Sequence, residues 1–127
     1  MQLTTVQCEQ VVEIALTYLN QPYRKGFRCV EFVREVYCQI GIHLPILQSW
    51  APPQGFNIFK EQLIDPPAGH VMFLRDRDDP RKERSWTHVV ILISKLNCIH
   101  CSLFSGEKVV ISTLEEIYKR YDFAESN

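Results

Sequence analysis

The apolar residues of this chain change their spacing once, and that change decides which class of fold is open to it. Up to Gly41 they recur at three- and four-residue intervals; from Val71 onward they fall in short strand-like runs. The first pattern is the stripe of an amphipathic helix, and the second is that of buried strands. Thr4 and Thr5 are candidate N-caps for a helix carrying Val11, Val12, Ile14, Ala15, Tyr18 and Leu19, which ends near Asn20 with Pro22 just beyond. A second helix starts at about Cys29. It buries Phe32, Val33, Val36, Tyr37 and Ile40, turns Glu31, Arg34 and Glu35 outward, and stops at Gly41, with Pro45 enforcing the stop.

Residues 45–69 are irregular and proline-rich, with short helical turns expected at 49–51 and 56–63. A connection of that length in a compact domain is usually functional or disordered; Trp50, Phe56 and Phe59 favour a packed loop. Strands are expected at 71–74, 88–93, 97–102 and 108–111. Residues 75–84 form a loop whose five basic and four acidic residues nearly cancel, which reads as solvated. Thr113 with Glu116 makes a capping box for a last helix reaching 118–121. Helices first and an antiparallel sheet after is an α+β order. The expectation is one domain over residues 1–127, with N-terminal helices on a central antiparallel sheet of four to six strands.

Composition removes several function classes. A formal net charge of −1 gives no electrostatic case for nucleic acid or an anionic membrane. The longest purely apolar run, 89–93, is far too short to span a bilayer. Gln2, Glu9, Gln10 and Glu13 replace the basic n-region of a signal peptide. Five cysteines make an odd count, which favours reduced thiols over a disulfide framework. These features favour the cytoplasm, and leave a mature form or export by a non-Sec route open.

The chemistry centres on Cys29. A Gly26-containing turn delivers this thiol to the N-terminus of a helix, where unpaired N–H groups and the macrodipole favour an anion. A thiolate is the nucleophilic form, so that position is expected to lower the thiol pKa. A nucleophilic cysteine needs a base, and an imidazole titrates in the useful range. His88 and His100 lie downstream in strand-like sequence, twelve residues apart across a hairpin. They share a face only if the hairpin is centred on a residue, through an odd loop or a bulge; centring on Ser94 would set them directly opposite. In a regular strand Trp86 points to the side of His88 and would wall a cleft. His43 and His70 fit no such arrangement and read as surface or turn residues. Cys98 and Cys101 form a C-x-x-C, but on a strand the two thiols point to opposite faces, so neither a shared metal nor a local disulfide follows. No metal or cofactor is implied.

The stretches PYRKGFRCVEFVREVYCQIGIHLP, PPAGHVMFL and HVVILISKLNCIHCS, in this order and spacing, resemble the three blocks of the NlpC family of bacterial cell-wall cysteine peptidases, a papain-like group. The resemblance runs from about Thr4 to Ser102. It implies a papain-like fold, Cys29 as nucleophile, His88 as base, His100 as the group that orients His88, and Tyr23 near the active site. It implies amide hydrolysis in peptidoglycan stem peptides through a thioester. The family usually has Asp-Cys-Ser where this chain has Arg28-Cys29-Val30, and Pro-Gly-Asp where it has Ala68-Gly69-His70. Arg28 would then favour a carboxylate on the substrate. Two further readings stay open: an inactive binding module of the same fold, and a papain-like transferase or deamidase acting on proteins.

Overall fold

The computed structural model describes residues 3–44, 68–80 and 86–123. The expected packed loop with Trp50, Phe56 and Phe59, its helical turns, Pro45 and residues 81–85 lie outside them.

Helix α1 spans Thr5–Leu16. Thr4 is its N-cap, in a capping box with Gln7 that satisfies two orphan backbone donors. The helix stops short of the expected Asn20: the Tyr18 and Leu19 amides bond three residues back, and Asn20 takes a positive φ of 73°. Helix α2 spans Cys29–Cys38 and begins, as the pattern required, at the thiol. Phe32, Val33, Val36 and Tyr37 are fully buried. Burial of such side chains stabilises by about 2 kcal/mol each, so this face contributes on the order of 8 kcal/mol before entropy is counted.

Five strands follow: β1 (Val71–Asp76), β2 (His88–Leu92), β3 (Asn97–Ser102), β4 (Lys108–Thr113) and β5 (Tyr121–Phe123). They form one sheet in the order β4-β3-β2-β1-β5, every neighbouring pair antiparallel. β2 is central and buried at all five positions, which accounts for its unbroken apolar run. Val89, Ile91, Ile99 and Cys101 face α1 and α2; Val90, Leu92 and Cys98 face the opposite cluster with Leu114 and Ile117. Those last two belong to α3 (Leu114–Tyr118), capped by the Thr113–Glu116 box as expected. Here the sequence reading overshot. α3 ends at Tyr118, and Tyr121 opens an edge strand paired with β1. The Tyr121–Phe123 backbone finds its partners on β1, and Tyr121 buries its ring in the sheet.

The β2–β3 register sets the relation of the two histidines. Ile91 pairs with Ile99 and Leu92 with Cys98, so the hairpin is centred on Lys95 and turns through the odd loop Ser94-Lys95-Leu96. His88 and His100 therefore share a face, displaced by one two-residue step instead of directly opposite. Ser94 Oγ takes the amides of Leu96 and Asn97, which tightens the turn around that centre.

One glycine is required by close approach. Gly69 has φ +86°, and a Cβ there would lie 2.6 Å from the Cys8 carbonyl oxygen in α1. Its carbonyl accepts from the buried Tyr37 hydroxyl and its amide donates to Leu92 O, so α2, the turn and β2 are locked together. Among the described residues, no helix is long and apolar enough to cross a membrane.

Candidate active site

A cavity of about 350 Å³ opens where the N-terminus of α2 meets the start of β2. Its walls include Tyr23, Cys29, His88, Cys101, Arg120 and Tyr121, with Asp78, Asp79, Leu103 and Phe104 also lining it. Cys29 is the first residue of α2, so its own N–H has no intrahelical acceptor. Arg28, at the N-cap position, makes no side-chain cap, which leaves the helix N-terminus uncovered on that side.

His88 and His100 meet. His88 Nε2 lies 2.7 Å from His100 Nδ1, and His100 Nε2 lies 2.9 Å from Ser112 Oγ. All three residues are buried, His100 completely. The one-step diagonal offset suits imidazoles, whose length reaches a diagonal partner across the ladder. Ser112 is a member that sequence reasoning missed. Its one signal was parity with His100 across β3 and β4, and that register cannot be read without the turn between them.

Burial decides the protonation states. The Cys29 thiol is pushed up to about 11, chiefly by desolvation; backbone hydrogen bonds from Val89 and Val30 oppose this without reversing it. The expectation that the helix N-terminus lowers this pKa is thus corrected: loss of solvent outweighs the dipole. His88 is held well below its ordinary 6.5 by burial, then by His100 and Arg120. His100 is lowered to about 4, again mainly by burial. At rest, therefore, the Cys29 thiol and both imidazoles on this cavity are neutral.

The other expected residues divide. Tyr23 lines the cavity, and burial followed by the nearby Cys29 raises its hydroxyl pKa. Arg28 is exposed, and its Nε donates to Glu31 at 2.9 Å, one helical turn on. Trp86 does not join the cavity walls. It is 4% exposed and packs edge-on to Phe73 at 5.0 Å, in the cluster facing α1 and α2. The two-residue alternation fails there because β2 begins at His88 and Thr87 sits in a bend. Cys98 and Cys101 do point to opposite faces, and Cys101 brings a second thiol to the cavity. His43 and His70 lie elsewhere, near Cys38 and Cys8 at 3.7 Å each.

The loop read as solvated is partly structural. Asp76 is buried at the end of β1 and takes an ion pair from Arg120 at 2.8 Å. Arg77 donates to Asp122 and to the carbonyls of Tyr118, Lys119 and Tyr121, pinning the α3–β5 turn to β1.

Comparison with known proteins gives a consistent picture. The family model described as the NlpC/P60 family matches residues 18–126. No curated protein matches the chain in sequence. Among solved structures, an NLP/P60-family protein similar to lipoprotein from Staphylococcus aureus superposes with a TM-score of 0.68 at 20% identity, covering 99% of this chain and 43% of the other. An NlpC/P60-family protein from Bacillus cereus gives 0.67 at 24% identity, with 93% and 39% covered. NlpC1 from Trichomonas vaginalis gives 0.71 at 19% identity, with 97% and 44% covered. At these identities the likeness is one of fold, and the chain spans about two fifths of each of those chains.

Proposed function

The chain belongs to the NlpC/P60 family of papain-like cysteine hydrolases, and on that premise we propose that it cleaves amide bonds in peptidoglycan stem peptides with Cys29 as nucleophile, His88 as base and His100 as the group that orients the base. The observation that carries this reading is the 2.7 Å His88–His100 contact on the wall of the cavity that also holds Cys29.

The proposed base role selects one arrangement of protons along this hydrogen-bond chain. For His88 Nδ1 to accept the Cys29 proton, His88 Nε2–H donates to His100 Nδ1, and His100 Nε2–H donates to Ser112 Oγ. Because thiol and imidazole are both neutral at rest, His88 removes the proton as the sulfur attacks, in place of a preformed ion pair. The S–C bond forms and the carbonyl becomes an oxyanion, which the Cys29 N–H at the head of α2 receives. Imidazolium His88 then gives its proton to the leaving amine as the C–N bond breaks. Water, deprotonated by His88, attacks the thioester; the carboxylic acid leaves and the Cys29 thiol is restored. Tyr23 stands at the wall against which the acyl portion of a peptide would lie.

The competing reading is an inactive module that binds the same peptides, and the uncharged, desolvated thiol favours it. Incubation with purified peptidoglycan fragments, with products identified by mass spectrometry, separates the two. Hydrolysis at a defined stem-peptide bond supports the enzyme; binding with no product overturns it.

A further inference from the structure

We propose that Tyr121 is the positioning residue that fixes the plane of the His88 ring, held in place by Arg120 and Asp76. The inference rests on the reading of His88 as the base. A hydrogen bond at His88 Nε2 fixes one point of the imidazole, yet rotation about Cβ–Cγ still carries Nδ1 away from the thiol. A flat group packed on the ring face removes that freedom. Tyr121 supplies it: its ring is stacked on His88 at 5.0 Å between centroids and 17° between planes.

The sheet explains why the two rings meet. His88 pairs with Leu74 and Tyr121 pairs with Asp76, so their strands flank β1 and both side chains rise on one face, one two-residue step apart. The tyrosine is braced in turn. Arg120 flanks it, its guanidinium carbon 6.0 Å from the Tyr121 ring centroid. Arg120 donates to Asp76 Oδ2, at 2.9 Å from Nε and 2.8 Å from a terminal nitrogen. The other Asp76 oxygen accepts from the Asp78 amide at 2.9 Å, and Phe104 lies 3.7 Å under the guanidinium. An edge strand of three residues is a weak platform alone; this brace and the Arg77 contacts tie it to β1.

The test reads the His88 ring directly, through long-range ¹H–¹⁵N correlation spectra of the ¹⁵N-labelled protein, with stem-peptide turnover measured in parallel. Wild type should show one His88 tautomer, protonated at Nε2. Tyr121→Phe keeps the flat face and should keep that tautomer. Tyr121→Leu removes it: the two nitrogen shifts should average, and kcat should fall about tenfold to a hundredfold with KM nearly unchanged, as for a small misplacement of a reacting group. A Leu variant with the wild-type tautomer and kcat overturns the proposal. So does a Phe variant as impaired as Leu, since the hydroxyl and not the plane would then matter. If Tyr121→Leu does not fold, Tyr121→Phe and Arg120→Met decide. His100 from β3, Arg120 from the α3–β5 turn and Tyr121 from β5 act on His88, and Cys29 from α2 and Asp76 from β1 line the same cavity. Arg120→Met releases the Asp76 end of the brace and should partly average the two nitrogen shifts; unchanged shifts there, or a mixed tautomer in the Phe variant, overturn the proposal. Absence of hydrolysis in wild type would count against the proposed function alone, because the spectra report on the ring without substrate.

Discussion

Replacing His100 with alanine strips two hydrogen bonds from a buried cluster of polar side chains. His88 Nε2–H loses the acceptor at 2.7 Å and Ser112 loses its partner at 2.9 Å, while His100 itself is 0% exposed. A buried polar group left unpaired costs about 1–3 kcal/mol, so two cost about 2–6 kcal/mol. The vacated imidazole volume is polar and large enough for a water, which would pair with both groups and draw the figure to the lower half of that range. The expected loss is therefore about 2–4 kcal/mol. At roughly 4 °C per kcal/mol for a domain of this size, the melting midpoint should fall by about 8–16 °C. Catalysis should suffer separately. With no fixed tautomer His88 becomes a poor base, and kcat should drop about 10²–10³-fold with KM nearly unchanged. His100→Asn returns an acceptor to His88 Nε2 without reaching Ser112, and should recover part of both losses. Thermal melts and steady-state turnover of stem peptides read the two effects. A His100→Ala protein that melts within about 2 °C of wild type and turns over within about threefold would refute the reasoning.

Three further outcomes follow from the same structure. Acid should destabilise the fold between about pH 6.5 and pH 4: the unfolded chain binds a proton at His100 near 6.5, whereas the folded chain binds it only near 4, so up to about 3 kcal/mol is lost across that window and no more below it; His88 adds loss of the same sign. Chemical denaturation at pH 7 and pH 4.5 checks this, and equal stability at the two values contradicts it. Iodoacetamide should label Cys29 slowly at pH 7, and about tenfold faster for each pH unit up to about pH 10; a plateau below pH 9 would mean that the thiol ionises far more readily than its burial allows. Gly69→Ala should cost about 2–4 kcal/mol by denaturant titration, because its Cβ meets the Cys8 backbone at 2.6 Å in a left-handed conformation; a neutral substitution would contradict the packing of α1 on that turn.

The α+β order, the start of α2 at Cys29, the Thr113–Glu116 cap and the opposite facing of Cys98 and Cys101 were legible because each depends on a few neighbouring residues. What failed to be legible depends on partners distant in sequence. Tyr121 continues the apolar spacing of α3, and only its pairing with Asp76 makes it a strand residue. Trp86 keeps the parity of His88, and the bend at Thr87 breaks that parity. The shared face of the two histidines was readable as a condition on the hairpin; its centre at Lys95, and not at Ser94, was not. The Cys29 pKa was judged from the helix terminus alone, whereas the dominant effect is how much of the folded chain covers the sulfur. Asp76 and Arg120, two charges among many in the sequence, became an ion pair with a buried carboxylate through the β1–β5 edge.

The central claim is that Cys29 attacks an amide and carries the acyl group as a thioester. The most direct measurement mixes the protein with purified peptidoglycan fragments, quenches in acid at short times, and maps any acyl adduct by mass spectrometry of the digested chain. The account predicts an adduct on the peptide containing Cys29, appearing before free product and absent, together with all hydrolysis, in a Cys29→Ala protein that still melts close to wild type. Hydrolysis that persists in Cys29→Ala, or an adduct on Cys101 in its place, would contradict it.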